Sequence, residues 1–276
     1  MVNYLPMFVE KISYAVVAVV AGTMSLTVLL SCSGSVANTD FIGSSCSIAS
    51  DQKGSFLGKV EMLPLEVVVD SSFSASQIEA VNTAAHKWNA AGKKFLGHPL
   101  FKTRTDVVPN KVRSVNPRDC SSEIGSSSEY YIVMETSLSR WKALGFNDHI
   151  PGATVRCERK KILIHQAVFI NPEIIEDAQF MSVALHELGH SLGLDHSCAD
   201  GDGGPDYVSC SKISRGHPYR EAIMFPSLKI RSLKLETQTL VGIGDVSEIK
   251  ENIRQNDYDR AECLYGSDPE LSRLAQ

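Results

Sequence analysis

Three histidines and a glutamate stand at spacings that suit a metal site. His186, Glu187 and His190 fall within five residues, and His196 follows six residues after His190. On a helix, at about 100° per residue, the first two imidazoles lie about 40° apart and one turn apart in height. Two neutral imidazoles so placed can bind one zinc ion. Glu187 projects from the same side, where it can take a proton from a water molecule at the metal. The pattern therefore indicates hydrolytic zinc chemistry.

The chain must turn back toward the metal before the third histidine. Gly193 stands midway between His190 and His196. Glycine adopts the left-handed conformation that ends helices, so we expect the helix to end here and His196 to complete the ligand set. The alternative is a solvated helix face, because a bare HExxH occurs by chance in unrelated chains. The added glycine and third histidine argue against that alternative.

The helix that carries these residues needs an apolar face that can pack against a core. Met181, Leu185, Leu188 and Leu192 recur at helical spacing on the side opposite the histidines. This periodicity predicts a helix over about 178–193, with the four apolar residues facing a core.

Other elements of the scaffold are also indicated. Runs of β-branched and aromatic residues predict strands at 65–69, 130–134 and 161–170. A capping box at Ser76–Glu79 predicts the start of a long helix, whose apolar positions are Ile78, Val81, Ala84, Ala85 and Trp88. Residues 104–128 are polar and predict a loop, and a last helix is expected near Tyr258–Leu264. Because strands and helices do not alternate regularly, we expect an α+β fold.

The whole-chain composition is that of a globular protein. The chain has 276 residues, of which 43% are hydrophobic and 21% charged. This composition excludes a disordered or coiled-coil chain and leaves room for one large domain or two small ones. The formal net charge of −5 gives no electrostatic reason to expect a nucleic-acid partner.

The stretch His186–His196 resembles a known family signature. It matches HExxHxxGxxH of the metzincin zinc endopeptidases at every position, and the following Ser197 is typical of the matrixins among them. Downstream, Ala222–Pro226 resembles the family's Met-turn. The resemblance implies that Met224 lies beneath the metal.

The resemblance also implies a fold and a reaction. Asn256–Gly266 resembles the last matrixin helix with its terminal Tyr-Gly. The implied fold is a zincin-like catalytic domain over residues 59–276, with a twisted mixed sheet, a long N-terminal helix, an active-site helix and a C-terminal helix. The implied function is a zinc-dependent endopeptidase that acts on proteins or peptides. It would hold one catalytic zinc, and Glu187 would serve as general base toward the zinc-activated water.

Departures from the matrixin pattern limit these expectations. The region before the active-site helix has His149 and His165 but few carboxylates, so no second zinc is predicted. Pro117–Cys120 is not the pro-segment motif PRCG, so a cysteine-switch zymogen is not predicted. The acidic, glycine-rich loop Cys198–Cys210 fails the EF-hand pattern. A disulfide-closed loop is therefore favoured there over a calcium site.

A non-catalytic binding protein on the same fold, tethered to a membrane, is the alternative function. Such a protein would be expected to carry a broken motif, and the four key residues are intact. A processing enzyme with a narrow substrate range would show the same motif. The sequence does not separate it from a general endopeptidase.

The N-terminus has the features of a bacterial lipoprotein signal. Ala15–Leu30 is uncharged and short for a bilayer span, and the next residues, Ser-Cys, complete a resemblance to a lipobox. The resemblance implies a signal peptide over 1–31, a lipidated Cys32 and a flexible tether over 32–58. No aspartate follows the cysteine, so the implied destination is the outer membrane, with the domain periplasmic or surface-facing. A signal cut elsewhere, or an uncut anchor, is the alternative.

Seven cysteines are many for a reducing cytosol. With Cys32 lipidated, six remain for disulfides. We favour Cys198–Cys210, because this pair would close the long loop beside the third histidine. Cys120–Cys157 and Cys46–Cys263 are then left, among the many pairings that six cysteines allow. Free buried thiols are the alternative.

Overall fold

The computed structural model describes residues 42, 46–113, 129–146, 150–226 and 249–266. All of them belong to the second of two units into which the chain divides, Ala37–Gln276. The predicted signal peptide, Cys32, Pro117–Cys120 and His149 lie outside the described residues, and so does the side chain of His165.

Within these ranges the chain forms one sheet and several helices. The strands are β1 (Lys59–Val60), β2 (Leu65–Asp70), β3 (Phe101–Asp106), β4 (Glu129–Met134), β5 (Gly152–Arg159) and β6 (Ile162–Ile170). The helices are α1 (Ala75–Phe95), α2 (Asn110–Arg113), α3 (Leu138–Ala143), α4 (Asp177–Ser191), α5 (Pro218–Glu221) and α6 (Gln255–Tyr265). Of the helices in this part of the chain, none combines the length and apolar character needed to cross a bilayer.

The sheet is mixed, as the resemblance to the metzincins implied. Strands β3, β2, β4 and β6 run parallel in that order, and β1 adds a short parallel pair to β6. Strand β5 is antiparallel to β6 and pairs with no other strand in the described ranges, so it lies at an edge. Strands β3 and β5 were not predicted, because both are rich in polar residues, as edge strands often are.

Helix α1 links the parallel strands β2 and β3 and packs against α4. Its capping box begins at Ser74, not at the predicted Ser76. The Ser74 hydroxyl accepts from the Gln77 amide at 3.2 Å, and the Gln77 side chain accepts from the Ser74 amide at 3.0 Å. Farther along, the buried Trp88 indole donates to the Leu185 carbonyl at 2.9 Å. This hydrogen bond connects α1 directly to the helix that carries the histidines.

Residues Cys46–Gly58, here called the N-terminal segment, pack on the domain. The prediction of a flexible tether up to residue 58 was wrong for this part. Cys46 is joined to Cys263 by a disulfide, Gln52 and Ser55 are buried, and the Leu57 amide donates to the Gly193 carbonyl at 2.8 Å. The small polar residues find backbone partners in the domain instead of water. The domain therefore begins before residue 59.

Candidate active site

Helix α4 carries the first two histidines, and most of its apolar side chains are buried in the core. Phe180, Val183 and Leu188 are among its buried apolar residues. The helix ends at Ser191, and Gly193 follows with a φ of +94°, the left-handed conformation expected from the sequence. The chain then reverses and brings His196 back beside the helix.

The three imidazoles meet in one cluster. The ring centroids of His186 and His190 lie 4.7 Å apart, those of His190 and His196 5.0 Å, and those of His186 and His196 5.3 Å. One ligand nitrogen from each ring lies within 4.8 Å of the others. Three converging nitrogens of this kind suit a zinc ion.

Hydrogen bonds select the ring nitrogen that faces the cluster. The Nδ1 of His186 lies 2.7 Å from the Ile223 carbonyl oxygen, and that of His190 lies 2.8 Å from the Leu194 carbonyl oxygen. A carbonyl only accepts, so Nδ1 carries the proton in both rings and Nε2 keeps its lone pair for a metal. The Nδ1 of His196 lies 3.3 Å from the carboxylate of Asp200.

Burial keeps the imidazoles of His186 and His190 neutral. It lowers the pKa of His186 to about 3, and the nearby His196 adds to the shift. Burial also lowers the pKa of His190 well below its usual value. Because a metal binds the neutral imidazole, protons would not compete with a metal ion for these two rings near pH 7.

Glu187 lies between the histidines and strand β5. Its carboxylate is buried and accepts a hydrogen bond from the Thr154 hydroxyl at 2.6 Å. Burial raises the pKa of Glu187 to about 7, and the Thr154 hydrogen bond opposes this rise. A Cβ added at Gly152 would lie 2.9 Å from the Glu187 Oε1. Sequence reasoning missed Gly152 and Thr154, because no local pattern connects β5 with α4.

Met224 lies buried against helix α4. A Cβ added at Gly189 would lie only 2.3 Å from the Met224 sulfur, so the absence of a side chain at Gly189 lets the methionine approach. The Met224 carbonyl accepts from the Ser197 amide at 2.8 Å. Asp257 of α6 accepts from the Ile223 and Met224 amides at 2.8 and 3.1 Å. The turn is thereby fixed between α4 and α6.

Arg260 links α6 to the third histidine. It is fully buried, and its Nη1 donates to the carbonyl oxygens of Ser55, Asp195 and His196 at 3.2, 2.9 and 3.1 Å. The N-terminal segment and the residues around His196 therefore share one cationic donor. Sequence reasoning missed this role. Its sequence signal was an arginine one helical turn after Asp257, on the buried face of α6.

Where the structure describes both cysteines of a predicted pair, they form the predicted disulfide. The Cys198–Cys210 and Cys46–Cys263 disulfides are both present. Cys157 is also disulfide-bonded, and its predicted partner Cys120 lies outside the described residues. The alternative of free thiols is wrong for these five cysteines.

Substituting Gly193 by Ala is expected to destabilise the turn that delivers His196. A Cβ there would lie 2.0 Å from the Gly58 carbonyl oxygen, in addition to the strain of a left-handed backbone. Together these effects should lower the free energy of unfolding by about 2–5 kcal/mol, measured by urea unfolding of the chelator-treated protein. Gly97→Ala is the matched control, because Gly97 has a φ of +79° and open space around it. An equal loss in both variants would contradict the predicted clash.

Comparison with known proteins finds a family model and a solved structure that are similar to this chain. The family model described as Matrixin matches residues 73–202, a range that contains α4 and the three histidines. The solved structure of myroilysin is similar at 12% sequence identity and a TM-score of 0.31, over 72% of this chain and 91% of that chain. Among curated proteins, none matches the sequence.

Proposed function

We propose that this chain, of which residues 73–202 match the matrixin family model, is a zinc-dependent endopeptidase of the metzincin type. One observation carries the proposal. Three imidazoles converge on one point, and the carboxylate of Glu187 lies beside His186 in the helix that holds two of them. Such a site can hold a metal and move a proton beside it.

His186, His190 and His196 are the residues that would hold the zinc. In two of them the Nδ1 atom is fixed by a backbone carbonyl oxygen. Their Nε2 atoms are therefore already oriented to donate an electron pair to a metal. When bound, zinc polarises the scissile carbonyl and makes water a better nucleophile near neutral pH.

Strand β5 offers a docking edge for the substrate. It pairs with β6 on one side, and in the described ranges no strand covers the other side. An extended peptide can add to such an edge through main-chain hydrogen bonds. Gly152 and Thr154 of β5 lie against Glu187, so a peptide bound along β5 would pass the carboxylate. Binding through main-chain groups suits an endopeptidase, since the groups recognised occur in every peptide.

Glu187 would act as the general base and then as the general acid. Its carboxylate takes a proton from the attacking water, and the same oxygen returns that proton to the amine of the leaving segment. Its raised pKa of about 7 favours both steps, because the group gains and loses a proton readily near neutrality. The Thr154 hydroxyl holds one carboxylate oxygen and so limits rotation of the side chain.

Met224 would be a structural residue under the histidines and not a reacting group. The Ile223 amide and carbonyl connect Asp257 to the ring of His186. Met224 packs against α4 at Gly189. The turn thus sets the orientation of the first imidazole through backbone atoms.

Cleavage profiling on a peptide library derived from a proteome tests the proposed function. Wild-type protein loaded with zinc should generate new peptide termini, and the recurring residues around them would define the specificity. A zinc-loaded protein that cleaves nothing in the library would instead support the alternative of a binding protein on the same fold.

We also propose that the protein is exported and held at the bacterial outer membrane by a lipid on Cys32. The disulfides are typical of an oxidising compartment, and the lipobox-like residues support the anchor. Radiolabelled palmitate should enter the wild-type protein but not a Cys32→Ala variant. Equal labelling of the two proteins would contradict the anchor.

A further inference from the structure

The third histidine differs from the other two in the partner of its ring. His186 and His190 each use a backbone carbonyl, whereas the Nδ1 of His196 lies 3.3 Å from a carboxylate oxygen of Asp200. A carboxylate carries a full negative charge, and its position depends on a side chain. The ring of His196 therefore has a partner that a single substitution can remove.

The loop that carries Asp200 is fixed on both sides of this residue. Before it, the Ala199 amide donates to the Val208 carbonyl at 2.8 Å, and the Ala199 carbonyl accepts from the Cys210 amide at 2.9 Å. After it, the Gly201 carbonyl accepts from the Ser209 hydroxyl at 2.5 Å. The Cys198–Cys210 disulfide closes the same loop. The backbone of Asp200 is thus held in place although its side chain is 69% exposed.

The backbone of His196 is fixed as well. Its amide donates to the Asp195 carboxylate at 2.8 Å. Its carbonyl accepts from the Tyr207 hydroxyl at 3.0 Å and from Arg260 at 3.1 Å. With the main chain held at both ends, the remaining freedom is rotation of the imidazole about its side-chain bonds. The contact with Asp200 restricts that rotation.

We propose that Asp200 is a positioning residue that orients the His196 imidazole with Nε2 toward the zinc and strengthens it as a ligand. A carboxylate that accepts the Nδ1 proton fixes the tautomer and increases electron density on the other nitrogen. The proposal rests on the proposed function, since it concerns the same zinc ion. It assigns the acidic, glycine-rich loop a role beside the site, where the sequence had indicated only a disulfide-closed loop.

The test is the zinc dissociation constant of the full chain, measured by competition with a chromophoric chelator. Asp200→Ala should weaken zinc binding by about 10–100-fold. Asp200→Asn should have an intermediate effect, because the amide oxygen can still accept the proton but lacks the charge. Asp202→Ala is the matched control. It removes an exposed carboxylate from the same loop and should leave the constant within about twofold of wild type.

A second readout separates positioning from a general loss of structure. The cobalt-substituted Asp200→Ala protein should show a changed visible absorption spectrum, while its urea unfolding midpoint without metal stays that of the wild type. Zinc affinity within twofold of wild type in Asp200→Ala, or an equal loss in Asp202→Ala, would overturn the proposal. A wild-type chain that binds no zinc would overturn the proposed function and this inference together.

Discussion

Glu187→Gln is expected to lower kcat/KM for peptide hydrolysis by about 10²–10⁴-fold while the zinc content stays unchanged. The amide has nearly the same shape as the carboxylate and can still accept the hydrogen bond that Thr154 donates. It cannot take a proton from water. The measurement is a kinetic assay on a fluorogenic peptide together with metal analysis of the same preparation.

Glu79→Gln is the matched control for this variant. Glu79 is exposed on α1, so the same chemical change there should leave both the rate and the zinc content at wild-type values. Full activity in Glu187→Gln would show that this carboxylate is not the general base.

His190→Ala is expected to abolish both zinc binding and hydrolysis. Removing this imidazole leaves two ligand rings, which is fewer than the three that catalytic zinc sites use. It also removes the hydrogen bond from Nδ1 to the Leu194 carbonyl, which connects α4 to the chain beyond Gly193. Zinc content after dialysis and the peptide assay should therefore fall together, in contrast to Glu187→Gln.

His86→Ala controls for the loss of a histidine elsewhere. His86 is exposed on α1, so its removal should change neither quantity. If the dialysed His190→Ala protein retained one zinc per chain and its activity, the assignment of the ligand set would be wrong.

The elements that position the histidines were predictable because their signals are local. Helix α4 and strands β2 and β4 are buried on at least one face, so their apolar residues follow the helix or strand period. The three histidines are close in sequence, and the turn at Gly193 needs one special backbone conformation that glycine favours. Their convergence could therefore be inferred before any long-range contact was known.

The contacts that hold the site residues in place were not predictable, because they join residues that are distant in sequence. Thr154 meets Glu187 only because β5 lies along α4. Arg260 reaches His196 only because α6 packs behind the turn. The sequence around Thr154 gives no sign of this contact. The position of Arg260 on the apolar face of α6 indicates burial, but it does not identify the partner.

The N-terminal segment shows a different limit of prediction from sequence. Its small polar composition predicted a flexible tether, a sound inference for residues that have no partners. Here Gln52 donates to the Ser197 carbonyl at 2.9 Å, and Ser55 accepts from Arg260 through its carbonyl. Composition alone does not reveal whether the rest of the fold offers partners to such a segment.

Zinc removal and return on the wild-type protein tests the proposed chemistry most directly. Protein treated with a strong chelator and dialysed should lose its activity on casein, and one equivalent of zinc should restore it, in step with metal bound per chain. Digestion that continues unchanged in the metal-free protein would contradict zinc-dependent hydrolysis, because the reaction would then need no metal at the three histidines.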